Sequence, residues 1–253
     1  MASANIVGYN TVTVKPGYNM LALNFEKVGE SAAISIQDLI PGNTAGLTGG
    51  ANAANADMIQ IYDAVDSSYT DYFLYNNPRQ PTNAKNFKWC STVSGAPLAE
   101  KDFKSGDSFW FFKQGTTDVT ITIAGQVSTV TSQTIEIKPG FNMIGNAFPA
   151  NFNPNAFGQD VWKTLMANGA IGGANAANAD MIQVYDAATG NYTDYFLYNN
   201  PRQTTNAKNG KWVSTASGAP EIDASAEVVS VGKGAWYYHK GTGFTLTIAN
   251  PTK

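Results

Sequence analysis

The chain reads as all-β and mainly antiparallel: two tandem homologous modules, each a β-sandwich or partly closed barrel with one small helix. Three observations predict this. The stretch GGANAANADMIQIYDA at 49–64 recurs as GGANAANADMIQVYDA at 172–187, and YTDYFLYNNPRQ at 69–80 recurs unchanged at 192–203, each 123 positions on. That period is a domain's worth of chain, so the repeat is a pair of globular units and not a solenoid. Most extended segments alternate apolar and polar residues, as antiparallel sheets with one wet face do. Each copy carries about seven or eight such segments, punctuated by Gly, Pro and Asn turns. Module one is assigned to residues 1–127 and module two to 128–253.

The modules open on alternating strands, Thr11-Val12-Thr13-Val14 and Thr134-Ile135-Glu136-Ile137. Lys-Pro-Gly follows in both, proline presetting φ and glycine supplying the positive φ of a type II turn. Strands resume at 19–23 and 142–146. The next stretch is the least alike. Residues 34–40, stopped by Pro41, allow one or two helical turns, whereas Phe157, Val161 and Leu165, joined by Trp162 and Met166, fall at helical spacing within 155–168, ended by Gly169. Residues 49–57 are too rich in Gly, Asn and Ala for a strand. A strand at 58–62, a turn at 63–68 and an aromatic strand at 69–75 follow, ended by Asn76-Asn77-Pro78-Arg79. Trp89 and Trp212 mark a short further strand. In the closing hairpin, Trp110/Trp236 and Phe112/Tyr238 share one parity and are expected to point inward, with Lys113/His239 outward. Gly115 and Gly241 turn the chain into 119–123 and 244–248. No Gly- or Pro-rich linker separates the copies, so a stiff junction is expected.

Composition excludes several roles. Charged residues are only 14%, well below the roughly 25% of ordinary domains, which suits an extracellular or packed setting. A net charge of −3 without a basic stripe excludes nucleic acid, and no apolar run is long enough to span a membrane. The start, MASANIVGY, has no charged or apolar leader region, so no signal peptide is read there; Ala2-Ser3-Ala4 fits the new terminus that cleavage of a leader would leave. Cys90, opposite Val213, is a small buried residue with no disulfide partner.

Duplication tests every chemical candidate, because a site used by the module should occur twice. His239, the sole histidine, aligns with Lys113 and is expected to face solvent. Carboxylates recur at Asp57/Asp180, Asp63/Asp186 and Asp71/Asp194. A pair flanking a glycosidic bond is conceivable, though Asp63 sits where a turn aspartate bonds its own backbone. Asn52, Asn55, Asp57 and their copies group hard oxygens, leaving calcium as the alternative to no cofactor. The only arginines, Arg79 and Arg202, occupy matched positions, either as internal clamps to Asp71 or a carbonyl, or as contacts to another molecule. Tyrosines recur at 62, 69, 72 and 75 and at 185, 192, 195 and 198. Exposed tyrosine suits sugar stacking and protein interfaces. The candidate binding set is Tyr62, Tyr75, Arg79, Tyr185, Tyr198 and Arg202.

The order VGY, KPGYNM, ADMIQIYDA, YTDYFLY, KWC, GDSFWF and VTITIAGQV resembles modules of uncharacterised secreted and cell-surface bacterial proteins built from tandem β units. Its motifs are structural. The resemblance implies export, surface location and a non-enzymatic role. Two functions are therefore expected: a self-associating surface or filament subunit, with copies of itself as partners and the strand around 5–14 available for exchange; or, alternatively, a carbohydrate-binding or adhesive module.

Overall fold

The computed structural model describes residues 6–29 and 33–251; Ala2-Ser3-Ala4 and Asn5, at the start of the expected exchange strand, lie outside the described residues. The first half runs β1 (Val7–Val14), β2 (Gly17–Ala22), β3 (Ile34–Ser35), α1 (Ile36–Leu39), β4 (Met58–Asp63), β5 (Ser68–Tyr75), β6 (Lys88–Ser91), β7 (Asp102–Phe103), β8 (Ser108–Lys113) and β9 (Val119–Gln126). The second runs β10 (Ser132–Ile137), β11 (Gly140–Gly145), α2 (Gln159–Ala167), β12 (Met181–Asp186), β13 (Asn191–Tyr198), β14 (Lys211–Ser214), β15 (Gly234–His239) and β16 (Phe244–Ala249). Strand order repeats: β2-β8-β4-β5-β6 in one five-stranded sheet, β11-β15-β12-β13-β14 in the other, with β1-β9 and β10-β16 as separate ribbons. All these pairings are antiparallel.

Each ribbon folds over its five-stranded sheet, and the core lies between them. From the ribbon come Val12, Val14, Ile121 and Ile123; from the sheet Leu21, Ile59, Leu74, Trp89, Phe109 and Phe111. Alternation makes this possible: Val12 pairs with Ile121 facing in, while Thr11 opposite Thr122 faces water. The result is sandwich-like, with no closed barrel among the described residues.

Local chemistry sets the turns. Gly17 and Gly140 adopt φ of 86° and 81°. Asn19 then clamps the Lys-Pro-Gly turn by accepting from Lys15 N at 2.9 Å and donating to Lys15 O at 2.7 Å, and Asn142 does the same for Lys138. In the divergent stretch, α1 has four residues, capped by Ser35, whose Oγ accepts from Asp38 N at 3.2 Å. A 3₁₀ turn (Pro154–Phe157) precedes α2, and Gly158 at φ 87° breaks the two. Of the residues at helical spacing, Trp162 is buried, Phe157, Leu165 and Met166 are partly buried against the core, and Val161 is exposed.

The unlike segments perform one task. Gln37 brackets the Trp89 backbone, donating to its carbonyl at 2.8 Å and accepting from its N–H at 3.0 Å; Asn155 does so for Trp212 at 2.9 and 2.8 Å. Leu98 bridges to Cys90, and Glu221 to Val213. Edge strands β6 and β14 are thereby covered, which limits pairing with a foreign strand.

The other sheet edges, β2 and β11, meet each other. Ala22 N donates to Gly232 O at 3.0 Å, and Gly145 N donates to Gly106 O at 3.1 Å. Ala22 corresponds to Gly145 and Gly106 to Gly232, so these bonds are reciprocal, as across a two-fold axis. Asn24 reinforces the junction, donating to Asn146 O and accepting from Gly232 N at 2.7 Å. Small residues permit the approach: a Cβ on Gly234 would overlap the Ser108 side chain and come within 3.1 Å of Met20 Cγ. Gly234→Ala should therefore cost about 1–3 kcal/mol, the usual range for overpacking. A urea titration should give a lower midpoint at unchanged slope; an unaltered midpoint would mean that the junction is loose.

Candidate functional site

Strand parity builds the site. On β8, Phe109 and Phe111 enter the core, which puts Trp110 on the opposite face. Pairing then lays rows across that face: Met20, Trp110, Gln60 and Asp71 in one, Tyr62 and Tyr69 in the next. The second half repeats them as Met143, Trp236, Gln183 and Asp194, with Tyr185 and Tyr192. The two faces oppose each other. Trp110 meets Tyr185 edge-to-face at 5.0 Å and Tyr62 meets Trp236 at 5.0 Å, with the two tryptophans 6.4 Å apart between them. The exchange is again reciprocal.

Two clefts flank this seam. One, about 380 Å³, is lined by Tyr18, Gln60, Tyr69, Trp110, Tyr185 and Tyr192; the other, about 330 Å³, by the counterparts Phe141, Gln183, Tyr192, Trp236, Tyr62 and Tyr69. Tyr69 and Tyr192 border both. Gln60 donates to Asp71 at 3.0 Å and Gln183 to Asp194 at 3.1 Å, which orients each amide with its carbonyl oxygen free of that bond. Burial pushes the Tyr69 and Tyr192 phenols up, while the Trp110 and Trp236 indoles beside them pull the other way. The clefts offer aromatic faces plus oriented amides and carboxylates, which suits binding of flat, hydroxylated rings.

A second repeated feature is a buried polar hub. Asp57, fully enclosed, accepts from Thr48 N at 2.8 Å, Gln114 N at 2.7 Å and Lys113 Nζ at 3.3 Å. Burial raises its pKa, opposed by those bonds and the lysine. In the other half, Asp180 accepts from Ile171 N, Lys240 N and the Tyr237 hydroxyl, each at 2.9 Å, and lies against His239 Nδ1. Gly243 N donates to His239 Nε2 at 3.0 Å, so Nδ1 carries the proton given to Asp180. The changes are paired: Phe111 and Lys113 become Tyr237 and His239, two donors replacing one ammonium.

This corrects the expected parity of the closing hairpin. Lys113 and His239 are 2% and 1% exposed and face the core, because a buried aspartate waits there; the tryptophans face the seam. Tyr75 and Tyr198 are also corrected: both are buried, because the loop over 49–57 packs Ala53 and Ala56 onto Phe73, Tyr75 and Cys90, with the copy matching. Cys90 is buried as expected.

The candidate set does not form one site. Tyr62 and Tyr185 come together at the seam. Tyr75 and Tyr198 lie at the far ends of their strands, roughly 20 Å from Tyr69 and Tyr192 at the usual strand rise. Arg79 and Arg202 are exposed on the loops beyond, held through backbone N–H bonds to Asn77 and Asn200 at 3.0 Å. Asp71 is taken by Gln60 and is not an arginine clamp. The loop itself is a ladder of turns at period three, through Asn77, Gln80, Asn83 and Asn86, and these four residues recur in the copy as Asn200, Gln203, Asn206 and Asn209. Asp63 and Asp186 are turn residues, accepting from Val65 N at 2.7 Å and Ala188 N at 2.9 Å. The Asn52, Asn55 and Asp57 oxygens do not converge: Asn55 donates to Asn52 and Asp57 turns inward. Among the described residues no helix is long and apolar enough to cross a membrane.

Sequence reading missed Tyr18, Phe141, Gln60, Gln183 and the seam role of the tryptophans. Their signal was present: aromatic residues on the same parity as Gln60 and Asp71, repeated in both copies.

Lys113→Met strands a buried carboxylate and should cost about 3–5 kcal/mol, with Asp57→Asn in the same chain recovering much of it, measured by denaturation. No recovery would mean that the lysine acts through packing alone. Burial, followed by the Asp180 charge and the bond to it, pushes the Tyr237 phenol well above its ordinary value; burial also raises Tyr72 and Tyr195. The folded state then holds these protons after the unfolded chain has released them, so stability is full below about pH 10 and declines as pH rises past it. Tyr237→Phe should flatten that decline; an equally steep curve would contradict the assignment. Neither a protein-family model nor a curated protein matches this chain.

Proposed function

We propose that the chain is a non-enzymatic contact protein of the cell exterior that binds glycans at the paired aromatic clefts. The observation that carries this reading is the exposure of four large rings around them: Tyr18 46%, Tyr69 47%, Phe141 42% and Tyr192 44%. Large rings held open on a rigid sheet give contact area at little entropic cost, and the apolar faces of sugar rings stack on them while amides meet the hydroxyls. The low charged fraction and the resemblance to secreted modules support an external setting.

A self-assembling subunit is the second reading. Its support is the start of β1 and the residue before it, where Ile6, Val7 and Tyr9 are 68%, 59% and 74% exposed. Against it stand the covered edges of β6 and β14.

A glycan array separates the two. The intact chain should bind, and the Tyr69→Ala, Tyr192→Ala double variant should bind more than about tenfold more weakly, a loss of ~1.4 kcal/mol or more. The Arg79→Ala, Arg202→Ala variant should bind as the parent does. A blank array together with particles that grow in light scattering would favour assembly and refute glycan binding.

A further inference from the structure

We propose that the two clefts are one groove, and that a single flat β-1,4-linked oligosaccharide lies across it in either direction. This deepens the glycan reading and rests on it. The axis relating the halves must exchange Trp110 with Trp236, Tyr62 with Tyr185 and Tyr69 with Tyr192 at once, so it passes between the members of each pair. Tyr69 and Tyr192 border both clefts, so the clefts abut at that axis and share a wall. Ligands filling them independently would contend for the same two rings. One chain that stacks on both does not.

Linkage geometry narrows the ligand. Equatorial β-1,4 bonds keep successive rings coplanar in a ribbon with hydroxyls along its edges. Such a ribbon lies over an aromatic ridge while reaching Gln60 on one side and Gln183 on the other. Helical α-linked chains curve away from a two-sided groove. Chain direction goes unread, because a two-fold operation reverses polarity: what one end meets at the first cleft, the other end meets at the second. The residues lining the two clefts differ by one hydroxyl, Tyr18 against Phe141, a small bias between orientations.

The test is calorimetry with β-1,4-linked glucose and N-acetylglucosamine oligomers, from the disaccharide to the hexasaccharide. One hexasaccharide should bind per chain, at least about tenfold tighter than the disaccharide. Tyr69→Ala alone should weaken it as much as Tyr192→Ala alone. Two hexasaccharides per chain with affinity independent of length would overturn the single groove and leave glycan binding standing. No binding by any oligomer, with binding of other sugars on the array, would overturn the β-1,4-linked ligand class. No sugar bound in either format would overturn both readings.

Discussion

The seam between the halves constrains everything else in this molecule. Near a two-fold axis each side chain faces a counterpart of its own kind, so bulk there counts twice. Two such pairs are Ala22 against Gly145 and Ser108 against Gly234, with a Cβ on Gly145 coming within 2.5 Å of that of Ala22. One small residue on each side lets backbones approach and exchange the Ala22 and Gly145 N–H bonds. Two tryptophans then pack 6.4 Å apart without colliding. A tandem duplication thus reproduces the logic of an isologous dimer inside one chain. The covalent link removes the entropy of association that two separate subunits would lose.

Beneath the seam, each sheet is braced by a buried aspartate that joins distant loops. Asp57 ties the backbone at Thr48 to that at Gln114, and Asp180 ties Ile171 to Lys240. The geometric demand is the same, a carboxylate satisfied on both oxygens inside an apolar shell. The halves meet it differently, with an ammonium in one and an imidazole and phenol in the other. An unpaired charge in either position would be costly, which explains why His239 in place of Lys113 is accompanied by Tyr237 in place of Phe111. Each aspartate thereby fastens a loop to the end of the strand that carries the seam tryptophan.

Much of this was legible along the chain. Alternation in β1, β4, β9 and β16 marked faces correctly, the Lys-Pro-Gly turns took the positive φ that glycine permits, and Trp89 and Trp212 fell on short strands. Where reading failed, the failures share a cause. Alternation separates two faces but does not say which is wet, and here the second face of β8 and β15 is covered by the other half. Lys113 and His239 looked like surface residues because charge usually lies outside; their partner is more than fifty positions away. Tyr75 looked available because nothing near it in sequence reveals that the loop over 49–57 folds back onto it.

The amino-acid order by itself determined the duplication, the strand periodicity and the turns, since these rest on interactions among residues a few positions apart. Burial of charge, the meeting of two sheet edges and the assembly of the clefts were decided only in three dimensions. Each depends on which surfaces exclude water from each other, and that is set by contacts between segments more than fifty residues apart.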